Sequence, residues 1–197
     1  MQNRLVLAVE DELSRAVGQK IAEYAGWSVE RVFLKNGKGY LQTIFQNLCN
    51  VAKHTAVLLL VDLNSSHTCA PSLLQQWTKG AQLPCGFFFR VVVREIESWL
   101  LADHEAMTIL LDDKGKLPPQ PDALHDPKAE LLKLLKKINK NVRDGVVRLD
   151  KGGIFQGVAY NATLAKWIYD HWLPERAAAR SDSLDRLLVR LRSFERK

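Results

Sequence analysis

The chain has 197 residues, 47% hydrophobic and 25% charged, an ordinary globular composition that excludes a disordered chain. No apolar run approaches a membrane span, the N-terminus does not read as a signal peptide, and three scattered cysteines form neither a paired framework nor a CxxC motif. A reduced, cytoplasmic protein with no membrane partner is expected. The net charge of +6 is uneven: residues 1–111 hold 10 basic and 10 acidic residues, and residues 112–197 hold 18 and 12. Such a basic flank suggests a polyanion partner, although a solvated surface is the commoner reason for this pattern.

In chain order, residues 4–9 (RLVLAV) read as a buried strand. DELSRAVGQKIAEYAG reads as a helix, with Leu13, Val17, Ile21 and Tyr24 or Ala25 at helical spacing and Gly26 as its stop. Residues 29–34 (VERVFL) are a second strand, KNGKG a loop, and YLQTIFQNLCNVA a helix with Leu41, Ile44, Phe45 and Leu48 on one face. Residues 56–61 (AVLLLV) are a third strand, apolar throughout as in a parallel sheet covered on both faces. SSHTCAP is a loop, and PSLLQQWT a short helix with Pro71 near its start. Residues 86–93 (GFFFRVVV) are the fourth strand. A single helix, IESWLLADHEAMTILL, follows, with Ile96, Leu100, Met107 and Leu111 roughly in line.

Strands alternating with helices predict a mainly parallel α/β sheet flanked by helices. The Pro-rich stretch DDKGKLPPQPDALH divides a core of residues 1–111 from a helical, basic extension of residues 112–197, packed on it as one compact unit. No strand is expected in the extension. DPKAELLKLLKKINK starts a helix with Asp126 as its cap and Pro127 at the first helical position. GGIFQGVAYN reads as a loop and ATLAKWIYDHW as a helix. SDSLDRLLVRLRSFERK is a helix capped by Ser181 or Ser183, burying Leu184, Leu187, Leu188, Leu191 and Phe194.

Parallel α/β sheets bind ligands beyond the carboxyl ends of their strands. There the first strand delivers Glu10, Asp11 and Glu12, the third ends in Asp62 and Asn64, and the fourth runs into Arg94, Glu95 and Glu97. If these strands are neighbours, Glu10, Asp62 and one later glutamate converge. Adjacent carboxylates repel unless water solvates them, a helix start uses them, or a cation sits among them. Hard divalent cations take such oxygen ligands. On the basic side, Lys133, Lys136, Lys137 and Lys140 recur at helical spacing along one face, which suits a phosphate backbone.

An apolar strand ending in Glu, a helix, and an apolar strand ending in an acidic pair resemble the Toprim metal site. That site belongs to topoisomerases, primases and the overcoming-lysogenization-defect type nucleases. VEDELSRAV, VVVREIESWLLAD and HDPKAELLKL, with QGVAYN and SDSLDRLL, resemble a Toprim-like family catalogued as a domain of unknown function (DUF4276-like). Some of its members are nuclease effectors of bacterial anti-phage defence and act beside an ATPase partner. The resemblance implies a Toprim-like, Rossmannoid fold and metal-dependent hydrolysis of RNA or DNA.

Residue by residue, the resemblance makes Glu10 the Toprim glutamate, a metal ligand or general acid/base, and Asp62 the first acid of the pair. Asn64 stands at the second acid position, where an amide offers one carbonyl oxygen and no charge. A metal there would be held more weakly or would borrow Glu97 or Glu12. Asp11 occupies a position where Toprim enzymes commonly have glycine. The implied metal ligands are thus Glu10, Asp62 and Asn64, and the implied catalytic groups Glu10, Asp62 and Glu97. Arg94, Lys128, Lys133, Lys136, Lys137, Lys140 and Arg143 are the implied nucleic-acid contacts. Mg²⁺ or Mn²⁺ is the cofactor and no organic cofactor is needed. An ATPase subunit and a second copy of the chain are the protein partners this reading allows.

Each signal also has a plainer reading. Glu10 fits an N-cap or a first-turn carboxylate favoured by the helix dipole, though Asp11 and Glu12 already fill that role. Asp62 fits a loop cap and Asn64 a turn residue. In one continuous helix Glu97 and Asp103 do not share a face, whereas Glu97 and His104 do; Asp103 reads as structural and Trp99 as core. Arg90 and Arg94 either contact phosphate or pair with Glu95 or Glu97. His67 and Cys69 are half of a soft-metal set with no second pair, and KNGKG lacks a Walker A ending. The alternative to a hydrolase is a non-catalytic nucleic-acid- or partner-binding module with a degraded metal site, which Asn64 favours.

Overall fold

The structure is a computed structural model that describes residues 3–35, 38–63 and 69–194; the expected metal ligand Asn64 and the expected loop residue His67 lie outside the described residues. Strands β1 (Asn3–Val9), β2 (Trp27–Leu34), β3 (Ala56–Asp62) and β4 (Phe87–Val92) form one sheet in the order β2-β1-β3-β4, every pair parallel. Helices α1 (Glu12–Tyr24), α2 (Lys38–Ala52) and α3 (Ala70–Thr78) make the crossovers.

The unbroken apolar strands are explained by cover on both faces. Leu5, Leu7 and Val9 pack in one buried cluster with α1, while Val6 and Ala8 pack in a second with α2 and α3. Leu58 and Leu60 of β3 follow the first face, and Val57, Leu59 and Val61 the second. Asp11 caps α1 by accepting the Ser14 N–H at 2.8 Å, with Glu12 in the first turn. That start is served without Glu10. At Gly18 the helix approaches the sheet closely, for a Cβ there would lie 2.8 Å from a Leu7 methyl.

The single helix expected over 96–111 is two: α4 (Ile96–Ala102) and α5 (His104–Leu111). The break is at Asp103, which is fully buried and caps α5 through the Ala106 N–H at 3.2 Å. The same carboxylate accepts the Leu173 N–H at 2.9 Å and two bonds from Arg176, each 2.9 Å. These bonds outcompete helix continuation. The face shared by Glu97 and His104 therefore does not exist, and the His104 ring instead meets the Pro118 carbonyl at 3.0 Å.

A 3₁₀ turn (Pro121–Ala123) precedes α6 (Pro127–Leu135), capped by Asp126 as expected. Helix α6 ends in tightened bonds, Lys137 N–H to Leu134 O at 2.9 Å and Ile138 N–H to Leu135 O at 3.3 Å. A separate helix, α7 (Lys140–Val146), follows. Lys133, Lys136, Lys137 and Lys140 therefore do not line one continuous helix face.

Strands also recur in this half. β5 (Val147–Asp150) and β6 (Gly153–Gln156) form an antiparallel hairpin closed by Lys151 and Gly152, where the GGIFQ stretch reads as a loop. Helices α8 (Tyr160–His171), α9 (Pro174–Ala178) and α10 (Asp182–Arg192) complete the chain, with Ser181 the cap of α10. Leu131, Leu164 and Leu187 join Leu5, Val17 and Trp99 in the first buried cluster. Trp99 is fully buried, and its indole N–H donates to Ser183 Oγ at 2.7 Å. No helix of the described residues is long and apolar enough to cross a membrane.

Candidate active site

Strands β1, β3 and β4 are neighbours and parallel, so the residues beyond their carboxyl ends gather at one edge. Glu10 directly follows β1, and its Oε1 accepts the Asp62 backbone N–H at 3.0 Å. This bond joins the tips of β1 and β3 beyond their ladder, whose last pair is Ala8 with Leu59. Asp62 pairs with Val92 at the end of β4. The Leu63 N–H then reaches the carbonyls of Val92 (3.1 Å) and Arg94 (2.8 Å), which ties the β4–α4 link to the end of β3.

Glu97 enters from the first turn of α4 and is 1% exposed. Its Oε1 accepts the Tyr160 hydroxyl at 3.0 Å and lies 3.4 Å from the Lys128 ammonium. Its Oε2 is buried with no hydrogen-bond partner among the described residues. Glu95 turns to the start of α6, where its Oε2 accepts the Lys128 backbone N–H at 3.0 Å. The first turn of α6 thus brings its positive end and the Lys128 charge to two glutamates.

The electrostatics follow from this crowding. Burial pushes the Asp62 carboxyl well above the usual range, and the charges of Glu97, Glu10, Asp11 and Glu95 push it further. Burial also raises Glu97, against the pull of Lys128. For Lys128 burial acts downward, but Glu97 and Glu95 outweigh it and hold the ammonium above the ordinary lysine value. Burial, then the Glu97 charge, raises Tyr160 well above a free phenol. The site therefore holds more carboxylate than cation.

An all-oxygen donor set with a buried Glu97 oxygen unpartnered among the described residues fits a hard divalent cation in its chemistry. Among the described residues, however, no three His, Cys, Asp or Glu side chains are arranged to hold a metal ion.

The structure thus brings together Glu10, Asp62 and Glu97. It also turns Lys128 inward as the partner of Glu97 rather than outward on a basic face. Arg94 is half-buried in the β4–α4 link and makes no ion pair among the described residues; neither it nor Arg90 pairs with Glu95 or Glu97. Lys133 pairs with Glu130 at 3.3 Å and Arg143 with Asp144 at 2.9 Å, while Lys136, Lys137 and Lys140 are exposed. Exposed Cys69 meets Ser72 Oγ at 3.0 Å. Sequence reasoning gave no role to Tyr160, 63 residues from Glu97, because nothing in QGVAYN points at an acid that far away.

No family model matches the chain, and no curated protein matches it. Among solved structures, the C-terminal region of the Burkholderia pseudomallei OLD protein is similar, with a TM-score of 0.51, 13% identity, and 98% of each chain covered. At that identity the likeness is one of fold, and the fold of this chain is α/β and Toprim-like, a parallel four-stranded sheet flanked by helices.

Proposed function

We propose that this chain is a metal-dependent phosphodiester hydrolase, a nuclease acting on RNA or DNA. The bond between Glu10 and the Asp62 backbone, with Glu97 buried beside them at the carboxyl edge of the sheet, is the observation that supports it best. In this reading Glu10 and Asp62 hold Mg²⁺ or Mn²⁺, with the Asn64 carbonyl as a third oxygen. When bound, such an ion polarises a phosphoryl oxygen and lowers the pKa of an attacking water. Glu10 takes or gives the proton, its position fixed by the Asp62 N–H. Glu97 and Tyr160 orient Lys128, whose charged ammonium stabilises the phosphate. Arg94 and the lysines 133, 136, 137 and 140, with Arg143, contact the nucleic-acid backbone. The family resemblance adds a setting, defence against phage beside an ATPase subunit.

A second reading is a non-catalytic nucleic-acid- or partner-binding module. The amide at Asn64 and the lack of a three-ligand group among the described residues favour it. Cleavage assays of the purified chain on tRNA, single-stranded DNA and plasmid separate the two. The hydrolase reading expects cutting with Mg²⁺ or Mn²⁺ that EDTA and Glu10→Gln abolish. No cutting, or cutting unchanged in Glu10→Gln, overturns it in favour of the module.

A further inference from the structure

Arg90 lies on β4, the edge strand of the sheet, between Phe88 and Val92, whose side chains face the cluster that includes α10. Its Nε is buried and has no hydrogen-bond partner among the described residues. Arg186 and Arg190 lie one helical turn apart on α10, so they share a face. The Arg190 guanidinium sits 5.7 Å from the centre of the Phe88 ring. Arg190 and Arg90 together line a cavity of about 220 Å³ with Leu187, Phe88 and Pro84.

None of the three arginines forms an ion pair with any Asp or Glu among the described residues. The acids nearest in sequence to Arg90, Glu95 and Glu97, are engaged by Lys128. Burial, then the charges of Arg186 and Arg190, holds Arg90 below the ordinary arginine value. A buried guanidinium nitrogen without an acceptor, beside two like charges, is costly unless an anion completes it. The chain's own described residues do not supply that anion.

The guanidinium fork matches phosphate oxygens in pairs, and convergent cations suit a group of high charge density. The cavity is small, sized for one phosphate group with its water or sugar, not for a folded partner. Arg90 also stands two residues before Val92, the ladder partner of Asp62, about 7 Å along the strand.

We propose that Arg90, Arg186 and Arg190 form a phosphate-binding site where α10 meets β4, filled by a backbone phosphate of the bound nucleic acid. The identity of that source rests on the hydrolase reading; the phosphate chemistry does not. The site lies apart from the carboxylates and extends the path of the nucleic acid along the sheet edge.

Two arms test this on the full chain in EDTA, so that no strand is cut. The first is thermal unfolding in inorganic phosphate against chloride at equal ionic strength. Wild type is expected to show a saturable rise in melting temperature that Arg190→Ala and Arg90→Met both lose and Glu10→Gln keeps. Arg90→Met is also expected to melt higher than wild type without phosphate, because the unpaired buried cation is gone. The second arm is fluorescence anisotropy of a labelled single-stranded oligonucleotide. Affinity is expected to fall about tenfold in Arg186→Ala/Arg190→Ala, with a shallower salt dependence.

No phosphate-specific shift in wild type, or a shift that both arginine variants retain, overturns the site. A phosphate shift lost in the variants while oligonucleotide affinity is unchanged assigns the site to free phosphate and overturns its backbone source. A chain that passes both arms but never cuts nucleic acid keeps this site and loses only the hydrolase reading.

Discussion

The Tyr160 hydroxyl donates to Glu97 Oε1 at 3.0 Å across 63 residues of chain, so the first residue of α8 is seated on the first turn of α4. Glu97 is buried, its other oxygen has no partner among the described residues, and Lys128 stands 3.4 Å from Oε1. Tyr160→Phe deletes the hydroxyl and takes from the carboxylate the one side-chain hydroxyl that bonds it among the described residues. Urea unfolding should show a loss of about 1–3 kcal/mol, the cost of leaving a buried acceptor unmet. An unchanged stability would mean that water replaces the hydroxyl freely.

What the sequence shows of this architecture depends on distance along the chain. Apolar runs ending in Glu10 and Asp62 predict buried parallel strands with an acidic edge, because period and composition are local. The caps Asp11 and Asp126, and Pro127 at the first helical position, are local too, and the structure places them as expected. The break at Asp103 is not readable locally, because the competing partners Leu173 and Arg176 lie 70 and 73 residues away. The hairpin of β5 and β6 escapes a burial pattern for another reason: Leu149 and Phe155 are 51% and 38% exposed, so its strands lack a buried face. The basic helix face fails because LLKLLKKINK keeps helical spacing past the point where buried Ile138 and tightened bonds end α6.

Asp103 ties the end of α4 to the start of α9. Its carboxylate is fully buried and takes bonds from Ala106, Leu173 and Arg176. Arg176→Ala removes the counter-ion and strands the charge, which should cost about 3–5 kcal/mol. Asp103→Asn keeps shape and some acceptor capacity and should cost less than Arg176→Ala. Chemical denaturation of the two variants checks the order; a smaller loss in Arg176→Ala would show that water reaches Asp103.

The exposed lysines should act on nucleic acid as charge rather than as readers of sequence. Lys136 and Lys137 are exposed without an ion pair among the described residues, and Lys133 has only a surface pair with Glu130. Replacing all three by Gln should weaken binding of unrelated oligonucleotides alike. Each lost phosphate contact should reduce the slope of log affinity against log salt by about 0.9 on duplex and 0.7 on single strands. Arg143→Gln should change it less, because Asp144 already neutralises that charge at 2.9 Å. Anisotropy titrations between 50 and 200 mM salt measure this, and an unchanged slope in the triple variant would remove these lysines from the path of the nucleic acid.

The Asp62 carboxyl is raised well above its usual value by burial first and then by Glu97, Glu10, Asp11 and Glu95. A carboxyl raised on folding favours its protonated form in the folded chain. Its ionisation is therefore without cost below the unfolded value, about 3.9 for Asp, and destabilises increasingly as pH rises from there to the folded value. Asp62→Asn removes the charge at nearly the same shape. In EDTA near pH 8 the variant should melt above wild type, and the gap should close as the pH approaches 4. Millimolar Mg²⁺ should close it from the other side, raising the wild type and not the variant. Thermal scans at three pH values, with EDTA and with Mg²⁺, separate these effects. A wild type no less stable than the variant at pH 8 in EDTA would show that the carboxylates at this edge do not repel one another, and with that the case for a cation among them would fall.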